Sequence, residues 1–386
     1  MSARWVQVPK RRRTKVVATL QLDLVDEEVV GRYLAAGVNL VRIEVRPGDR
    51  DRVERAYTAL RAAAHNARNP IGVIADLGAV VLDDERRSDL AFLSDLGVDY
   101  FAVVHGIDAA SINEVREVLP ESGSQTVLAH ITTASALVAA EDLIEAADGL
   151  IIDVDGDPTA PDADLGRIAP EDLPVVQRHL LALARTRGRP CIVTTSATGI
   201  GAGGGRSTVA EVAAVATAVL AGADAVMLGA QPSVEATIEA VQVADQVARR
   251  LEADLAEAPE DASVVCSADQ AVVAAAVQLA RDLDAGAIVV QPSEQSGLTA
   301  RALCATRPGV PIVGLALSLP AMLQQSMLWG VIPRWVRPDE LGDPDALATM
   351  VATQLDLGGP SGRIISVEGV GATEADTVPR LTVLTL

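Results

Sequence analysis

The histidine in "VLAHITTAS" (residues 127–135) is the side chain best suited to acid–base chemistry in this sequence. His130 is one of four histidines among 386 residues and stands near the end of an apolar run. A histidine at the end of a buried strand can act as a general base near neutral pH. A packed or hydrogen-bonded histidine is as common at such a place, so both interpretations stay open.

Other chemically capable side chains end neighbouring apolar runs in the same way. They are Arg42, Glu44, Asp76, Asp153, Thr194 and Thr195. The guanidinium of Arg42 can grip a carboxylate or a phosphate, but a buried arginine also needs a partner. Arg42 is therefore either an anion-binding group or one half of a structural ion pair with Glu44 or Asp76.

An acidic segment, "DVDGDPTAPDAD" (153–164), contains five aspartates. So many carboxylates repel one another unless water or a cation lies between them. Pro158 stands where a calcium-binding loop needs glycine, which argues against such a loop. A hard metal held by Asp153 and Asp164, with help from Glu44 or Asp76, is one hypothesis. A solvated acidic loop is the other.

Two glycine-containing segments precede predicted helices, "TGIGAGGGRST" (198–208) and "PSEQSGLTAR" (292–301). Backbone N–H groups at a helix start can bind an anion, whereas a flexible loop or ordinary helix capping explains the same residues. The candidate anion-binding residues are Gly203, Gly204, Ser296, Gly297 and Thr299.

Composition excludes several classes of partner. A formal net charge of −20 argues against binding to nucleic acid or to anionic membranes. The sequence shows no apolar run of the ~18–20 residues that a membrane span needs. Three widely spaced cysteines form no disulfide framework, and "MSARWVQVPKRRRTK" lacks a secretory apolar stretch. We therefore expect a cytoplasmic protein.

Lysine occurs only at Lys10 and Lys15, and every other basic residue is arginine. No lysine after residue 15 can serve as a base or as a phosphate ligand. Arginine binds phosphate but holds its proton too firmly to act as a general base.

Eight short β-branched runs alternate with helical stretches between residues 14 and 229. They cover 14–20, 39–45, 71–76, 100–105, 126–132, 149–153, 191–195 and 223–228. Runs that are apolar on both faces and separated by helices predict a parallel sheet, and eight of them favour a closed (β/α)8 TIM barrel. The active site of such a barrel lies at the carboxyl ends of its strands.

The sequence after the barrel predicts a second, smaller α/β domain with three layers. We assign residues 1–253 to the barrel, 254–261 to an acidic linker, and 262–386 to the second domain. The second domain reads as alternating helices and strands, and "GRIISVEG" and "RLTVLTL" close it as a strand pair.

Taken in order, these segments resemble the pyruvate kinase family along most of the chain. The similar segments are "RRRTKVVATL", "AAGVNLVRIEVRPGD", "VDYFAVV", "VLAHI", "AADGLII", "ADLG", "RSTVAEVAAVATAVLAGADAVML" and "LWGVIPRWV". The resemblance implies the family's barrel and C-terminal domain, a homotetramer or homodimer, and a small anionic metabolite as ligand. It also implies that Arg42 is the phosphate-holding arginine and Thr195 the threonine beside the substrate.

The chain departs from the family's pattern at the site itself. The family's catalytic lysine position is occupied by His130, and a metal carboxylate position by Thr132, while Asp164 keeps the second metal aspartate. No lid domain is inserted near residues 77–86. Glu44 and Arg46 replace two residues of the monovalent-cation site, although Asp76 keeps its aspartate. We therefore expect at most a weak Mg²⁺ site, no monovalent-cation site and no nucleotide.

Three functions remain open on these grounds. The first is a catalytically silent relative that binds a ligand or acts as a regulatory or scaffold subunit. The second is a repurposed metal-dependent enzyme of lyase, aldolase or enolisation type, with His130 as base, acting on a small keto acid or phosphorylated carboxylate. Residual transfer of phosphate from phosphoenolpyruvate to ADP is the least favoured, because phosphoryl transfer depends on positioned positive charge.

Overall fold

The computed structural model describes residues 12–46, 48–79, 82–104, 108–120, 125–153, 171–195, 208–255, 268–293, 296–370 and 379–386. The chain divides into two compact units, Met1–Ala253 and Asp254–Leu386.

Eight parallel strands close into a barrel in the first unit, which confirms the predicted fold. Each strand pairs with the next one in the chain, and the eighth pairs with the first. The strands are β1 (Lys15–Leu20), β2 (Leu40–Glu44), β3 (Gly72–Ala79), β4 (Tyr100–Val104), β5 (Thr126–Ile131), β6 (Gly149–Ile152), β7 (Cys191–Thr195) and β8 (Ala225–Leu228).

Helices cover the outside of the barrel, and several begin at residues that the sequence marks as caps. The helices are α1 (Glu27–Ala36), α2 (Arg50–Ala67), α3 (Asp84–Leu96), α4 (Ala109–Val118), α5 (Ala134–Val138), α6 (Ala140–Ala146), α7 (Leu173–Thr186), α8 (Val209–Leu220) and α9 (Val234–Leu255). The carboxylates of Asp26, Asp83 and Asp108 accept backbone N–H groups at the starts of α1, α3 and α4.

Strand residues alternate between the barrel interior and the layer beneath the helices. Val41 and Ile43 belong to that apolar layer, so Arg42, which lies between them, faces the interior. The same alternation directs a set of polar side chains inward near the carboxyl ends of the strands. This interior set comprises Thr19, Arg42, Asp76, His130, Asp153 and Thr194.

The interior below this polar set is tightly packed. A Cβ added to Gly72 would lie 3.0 Å from both the Leu40 Cδ2 and the Tyr100 Cε2 atoms. Tyr100 and Leu40 are fully buried. Glycine at position 72 therefore leaves room for the Tyr100 ring inside the barrel. The interior polar side chains lie above this packed layer.

A repeated polar contact closes the opposite, amino-terminal end of the barrel. The residue just before each even-numbered strand accepts a backbone N–H from the preceding odd-numbered strand, at 2.8–3.0 Å. The pairs are Asn39 with Val16, Asp99 with Val73, Asp148 with Val127, and Asp224 with Cys191. The recurring "GVN", "GVD", "AAD" and "GAD" sequences before strands thus fix strand register.

Arginines support three of these acceptors. Arg12 donates to Asn39, Arg61 donates to Asp99 at 2.7 Å, and Arg116 donates to Asp148 at 2.8 Å. Burial raises the pKa of Asp99, although the charge of Arg61 and the bond from the Val73 N–H act in the opposite direction.

The passage from β3 to α3 is short. β3 continues to Ala79, three residues beyond the predicted end, and α3 begins at Asp84. Four residues, 80–83, therefore separate the two elements, which leaves no room for an inserted lid domain.

The second unit is a five-stranded sheet between two layers of helices, as predicted. Its strands lie in the order β11–β10–β9–β12–β13, all parallel except the last pair. The elements are α10 (Ala268–Asp282), β9 (Ile288–Val290), α11 (Ser296–Ala305), β10 (Ile312–Ala316), α12 (Leu319–Leu323), β11 (Val331–Trp335), α13 (Pro344–Gln354), β12 (Arg363–Glu368) and β13 (Arg380–Thr385). Separate apolar clusters fill the two sides of the sheet.

Two further boundaries differ from what the sequence pattern indicates. Helix α9 continues to Leu255, so the first two residues of the predicted 254–261 linker are helical, and the rest lies outside the described residues. The segment "LPAMLQQSMLWG" (319–330) has a helical pattern along its whole length, but its helix ends at Leu323 and the chain continues as turns. Buried Gln325 explains the break, because its amide packs onto Gly314 of the sheet.

No helix among the described residues is long and apolar enough to span a membrane.

We expect Asp99→Ala to lower the free energy of unfolding by about 3 kcal/mol, because it leaves the Arg61 guanidinium and the Val73 N–H without their acceptor. Urea denaturation followed by circular dichroism measures the change. Asp95→Ala, at an exposed position on α3, is the matched control and should stay within about 0.5 kcal/mol of wild type. Equal effects of the two substitutions would contradict the role given to Asp99.

Candidate functional site

A buried ion pair between strands β2 and β3 lies at the carboxyl end of the barrel. The Arg42 Nε atom donates to the Asp76 Oδ2 atom at 2.7 Å, and a terminal nitrogen of Arg42 lies 2.5 Å from the same oxygen. The other carboxylate oxygen of Asp76 accepts the Gly78 backbone N–H at 2.9 Å. Both Asp76 oxygens are therefore engaged within the protein, and its side chain is 3% exposed.

A second carboxylate contacts Arg42 from its own strand. The Arg42 Nη1 atom lies 3.2 Å from the Glu44 Oε1 atom, and Arg46 lies 3.6 Å from the other Glu44 oxygen. Burial alone lowers the pKa of Arg42, but the charges of Asp76 and Glu44 outweigh it, so the pKa lies above its ordinary value. Arg42 therefore forms the ion pair that the sequence suggested as one alternative, and it does so with both Asp76 and Glu44.

The imidazole of His130 lies between two carboxylates. Its Nδ1 atom is 3.9 Å from Asp76 Oδ2, and its Nε2 atom is 3.9 Å from Asp153 Oδ2. Its side chain is 4% exposed. Arg42, Asp76, His130 and Asp153 thus form a row of ionisable side chains at the carboxyl ends of β2, β3, β5 and β6.

The described part of the site contains several ionisable groups of both signs. Three carboxylates, Glu44, Asp76 and Asp153, lie beside the guanidiniums of Arg42 and Arg46 and the imidazole of His130. A phosphate dianion that enters this part of the site meets three carboxylates, and the guanidiniums already contact two of them.

The described carboxylates do not fit a Mg²⁺ site. Within the described residues, no group of three or more His, Cys, Asp or Glu side chains is arranged to hold a metal ion. Asp76 bonds to Arg42 and Gly78, and Glu44 lies between two arginines. Asp164, the remaining predicted ligand, lies outside the described residues, so the predicted metal site stays a prediction.

Two threonine hydroxyl groups face the barrel interior near the carboxyl ends of the strands. Thr19, 3% exposed, pairs in register with Arg42 across strands β1 and β2. The hydroxyls of Thr19 and Thr194 are buried and have no hydrogen-bond partner among the described residues. Sequence reasoning missed Thr19, although its inward position near the end of β1 could have identified it. Such hydroxyls require a water molecule or a ligand.

Thr195 and Thr132 occupy different surroundings. The Thr195 hydroxyl donates to the Met227 carbonyl oxygen of β8 at 3.3 Å, and its side chain is buried. Thr132 is 2% exposed and directly follows β5. Within the described residues, Thr194 rather than Thr195 therefore supplies an unused hydroxyl to the interior.

The predicted anion-binding residues of the second unit lie at the start of α11. Helix α11 begins at Ser296, and Gly297 has open space around its Cα. The buried Thr299 hydroxyl donates to the Val370 carbonyl oxygen at 2.6 Å, so it fastens α11 to the segment after β12. Gly203 and Gly204, the anion-binding candidates of the barrel, lie outside the described residues.

Comparison with known families matches both units. The model described as "Pyruvate kinase, barrel domain" matches residues 75–237, and "Pyruvate kinase, alpha/beta domain" matches residues 270–383.

Individual relatives show the same similarity. "Pyruvate kinase 2" of Synechocystis sp. is 30% identical over 67% of this chain and 42% of its own length. A "Pyruvate kinase" of Agrobacterium vitis is 30% identical over 78% of this chain and 61% of its own. A "Pyruvate kinase" of Staphylococcus epidermidis is 27% identical over 92% of this chain and 60% of its own. The chain spans only 42–61% of the lengths of these relatives.

We expect Asp76→Asn to lower the free energy of unfolding by about 3 kcal/mol, because it leaves the buried Arg42 charge with only the half-exposed carboxylate of Glu44 as its partner. Glu44→Gln removes the other partner of Arg42 and is the matched control. Glu44 is 45% exposed, so its loss should cost less than about 1 kcal/mol. Denaturant titrations of both variants give the comparison. A larger loss in Glu44→Gln would show that the buried pair is not the dominant contact.

Proposed function

The chain belongs to the pyruvate kinase family, and we propose that it is a catalytically silent member of that family. In this proposal it binds a small ligand in the barrel and serves as a regulatory or scaffold subunit. The observation that carries the proposal is the row of ionisable side chains at the strand ends, where His130 lies between Asp76 and Asp153 and Arg42 is bound by Asp76 and Glu44.

Phosphoryl transfer needs positive charge aimed at the transferred group. By the resemblance, His130 occupies the position of the family's lysine, and a buried imidazole between two carboxylates supplies no ammonium to a phosphate. Arg42 is neutralised by its own neighbours. The short passage from β3 to α3 also leaves no room at that point for an inserted lid domain that would exclude water. Each defect removes a different contribution to the transfer.

Ligand binding is supported by unused hydrogen-bonding capacity in the same interior. A guanidinium has five N–H groups, and the contacts to Asp76 and Glu44 use about three of them. Thr19 pairs in register with Arg42, and the hydroxyls of Thr19 and Thr194 have no hydrogen-bond partner among the described residues. This set suits a monocarboxylate better than a phosphate dianion, because the monocarboxylate brings less negative charge to a site that already holds three carboxylates.

We expect negligible formation of ATP from phosphoenolpyruvate and ADP with Mg²⁺ and K⁺. The loss of about 4 kcal/mol or more of transition-state stabilisation corresponds to a rate at least about a thousandfold below that of an active relative. A coupled assay beside the Agrobacterium vitis relative measures the ratio. A rate within tenfold of that relative would refute the proposal.

Calorimetry with pyruvate, oxalate and phosphosugars tests the ligand site. We expect a monocarboxylate such as pyruvate to bind, and Thr19→Val to weaken its binding about tenfold by removing one hydrogen bond. Thr217→Val, on the outside of the barrel, should leave affinity unchanged. Affinity that is the same in Thr19→Val and wild type would remove Thr19 from the site, and binding by none of the compounds would remove the ligand-binding role.

A second candidate is the repurposed enzyme, and the placement of His130 favours it. A histidine flanked by Asp76 and Asp153 is a reasonable acid–base group for enolisation of a keto acid. If this candidate is right, the wild-type protein should exchange the methyl protons of pyruvate with deuterated water, and His130→Ala should abolish the exchange. NMR measures the exchange. Exchange no faster than in buffer would exclude it.

A further inference from the structure

Four interior side chains form one closed layer near the carboxyl end of the barrel. In an eightfold barrel, each interior layer takes one side chain from every second strand. From Thr19 the strand pairing leads across β2 to Ile74, and Asp76 lies two residues further along β3. The same step leads from Asp76 to His130 on β5. It then leads to Thr194 on β7 and from there back to Thr19. We call these four residues the polar ring.

Arg42 belongs to the interior layer just below the polar ring. The other members of that layer are three fully buried apolar residues, Ala102, Ile151 and Met227. The guanidinium of Arg42 extends upward from this apolar layer, because it contacts Asp76 in the ring and Glu44 above it. Arg42 therefore brings its charge to the polar ring from below.

The layer above the polar ring has no side chain at strand β8. Its members lie two residues further along the even-numbered strands and are Glu44, Val104, Asp153 and Gly229. Gly229 is partly exposed, and in this layer it lies between the carboxylates of Glu44 on β2 and Asp153 on β6. We call the place above the ring at Gly229 the gap.

The half of the polar ring beneath the gap has unused hydrogen-bonding groups. Strand β8 lies between β7 and β1, so the gap lies above Thr194 and Thr19. The hydroxyls of both threonines are buried and have no hydrogen-bond partner among the described residues, and Thr19 is 3% exposed. Such hydroxyls require a water molecule or a ligand. On the other half, Asp76 and His130 lie 3.9 Å apart.

Asp153 is the carboxylate best placed to contact a ligand in the gap. Both oxygens of Asp76 are engaged within the protein, and Glu44 lies between two arginines. The Asp153 side chain is 19% exposed, and it follows β6 beside the strand that carries Thr194. A ligand in the gap therefore meets a carboxylate on the β6 side and the Arg42 guanidinium on the β2 side.

This arrangement favours a ligand that carries charges of both signs. A ligand whose only charge is a carboxylate adds a fourth negative group to a site that already holds three carboxylates. A ligand with an ammonium group beside its carboxylate adds no net charge. Its ammonium can donate to Asp153 in a charge-assisted hydrogen bond, while its carboxylate accepts the two threonine hydroxyls.

We propose that the gap binds a small α-amino acid, with its ammonium at Asp153 and its carboxylate at Thr19, Thr194 and the free side of Arg42. This inference rests on the ligand-binding function proposed above for the same interior, and it names the class of ligand. It also assigns Asp153 as the residue that distinguishes an amino acid from other small carboxylates.

Calorimetry on the wild-type full chain tests the class of ligand without any substitution. L-alanine and propionate differ only by the ammonium group, and L-lactate carries a hydroxyl in its place. We expect L-alanine to bind at least about tenfold more tightly than propionate or L-lactate, because only its ammonium forms a charge-assisted contact with Asp153. Equal affinity for L-alanine and propionate, or for L-alanine and L-lactate, would overturn the proposal.

Two substitutions test the orientation of the ligand. Asp153→Asn should abolish the preference for L-alanine over propionate and leave the affinity for propionate no weaker. Thr194→Val should weaken both compounds by a similar factor, because the hydroxyl contacts the carboxylate that they share. Asp142→Asn, at an exposed position on α6, is the matched control and should keep the wild-type preference. Circular dichroism checks that each variant is folded.

The outcomes separate this inference from the function on which it rests. Binding of pyruvate or propionate without a preference for L-alanine would refute the amino-acid site and leave the ligand-binding function intact. A preference that persists in folded Asp153→Asn would refute the role of Asp153. Binding of none of these compounds would refute the ligand-binding function and the amino-acid site together.

Discussion

The ion pair between Arg42 and Asp76 organises the carboxyl end of the barrel. A guanidinium taken into a barrel interior needs a carboxylate close by, because its desolvation costs several kcal/mol. Asp76 meets this need with one oxygen and holds the Gly78 backbone with the other. Glu44 and His130 then take positions around the pair, and the positive charge of Arg42 is largely neutralised before any ligand arrives.

The polar side chains at the two ends of the barrel have different roles. At the amino-terminal end, Asn39, Asp99, Asp148 and Asp224 each accept a strand N–H and fix the register of the sheet. At the carboxyl end, the Thr19 and Thr194 hydroxyls face the interior without a partner among the described residues. The four acceptors at the amino-terminal end thus serve the sheet, whereas the two hydroxyls at the carboxyl end are the groups that our proposal assigns to a ligand.

Membership of the family suggests phosphoryl transfer, whereas the ionisable side chains of the site argue against it. The two observations are compatible, because the fold and the site depend on different residues. The barrel depends on apolar periodicity, on Gly72 and Tyr100 in its interior, and on the paired acceptors at its base. None of these depends on the group at position 130. A chain can therefore keep the family's fold whatever side chain stands at position 130.

The sequence by itself determined the eightfold barrel, the second α/β unit, and most strand limits, because apolar periodicity is a local property. It also determined which residues stand at strand ends, and hence Arg42, Asp76, His130, Asp153 and Thr194 as candidates. Tertiary structure alone decided their pairing. Arg42 and Asp76 are 34 residues apart, and whether Arg42 meets Asp76, Glu44 or both depends on distances across strands that no local pattern encodes. The sequence also could not show that the Thr19 hydroxyl has no hydrogen-bond partner among the described residues, because that depends on which side chains meet inside the folded barrel.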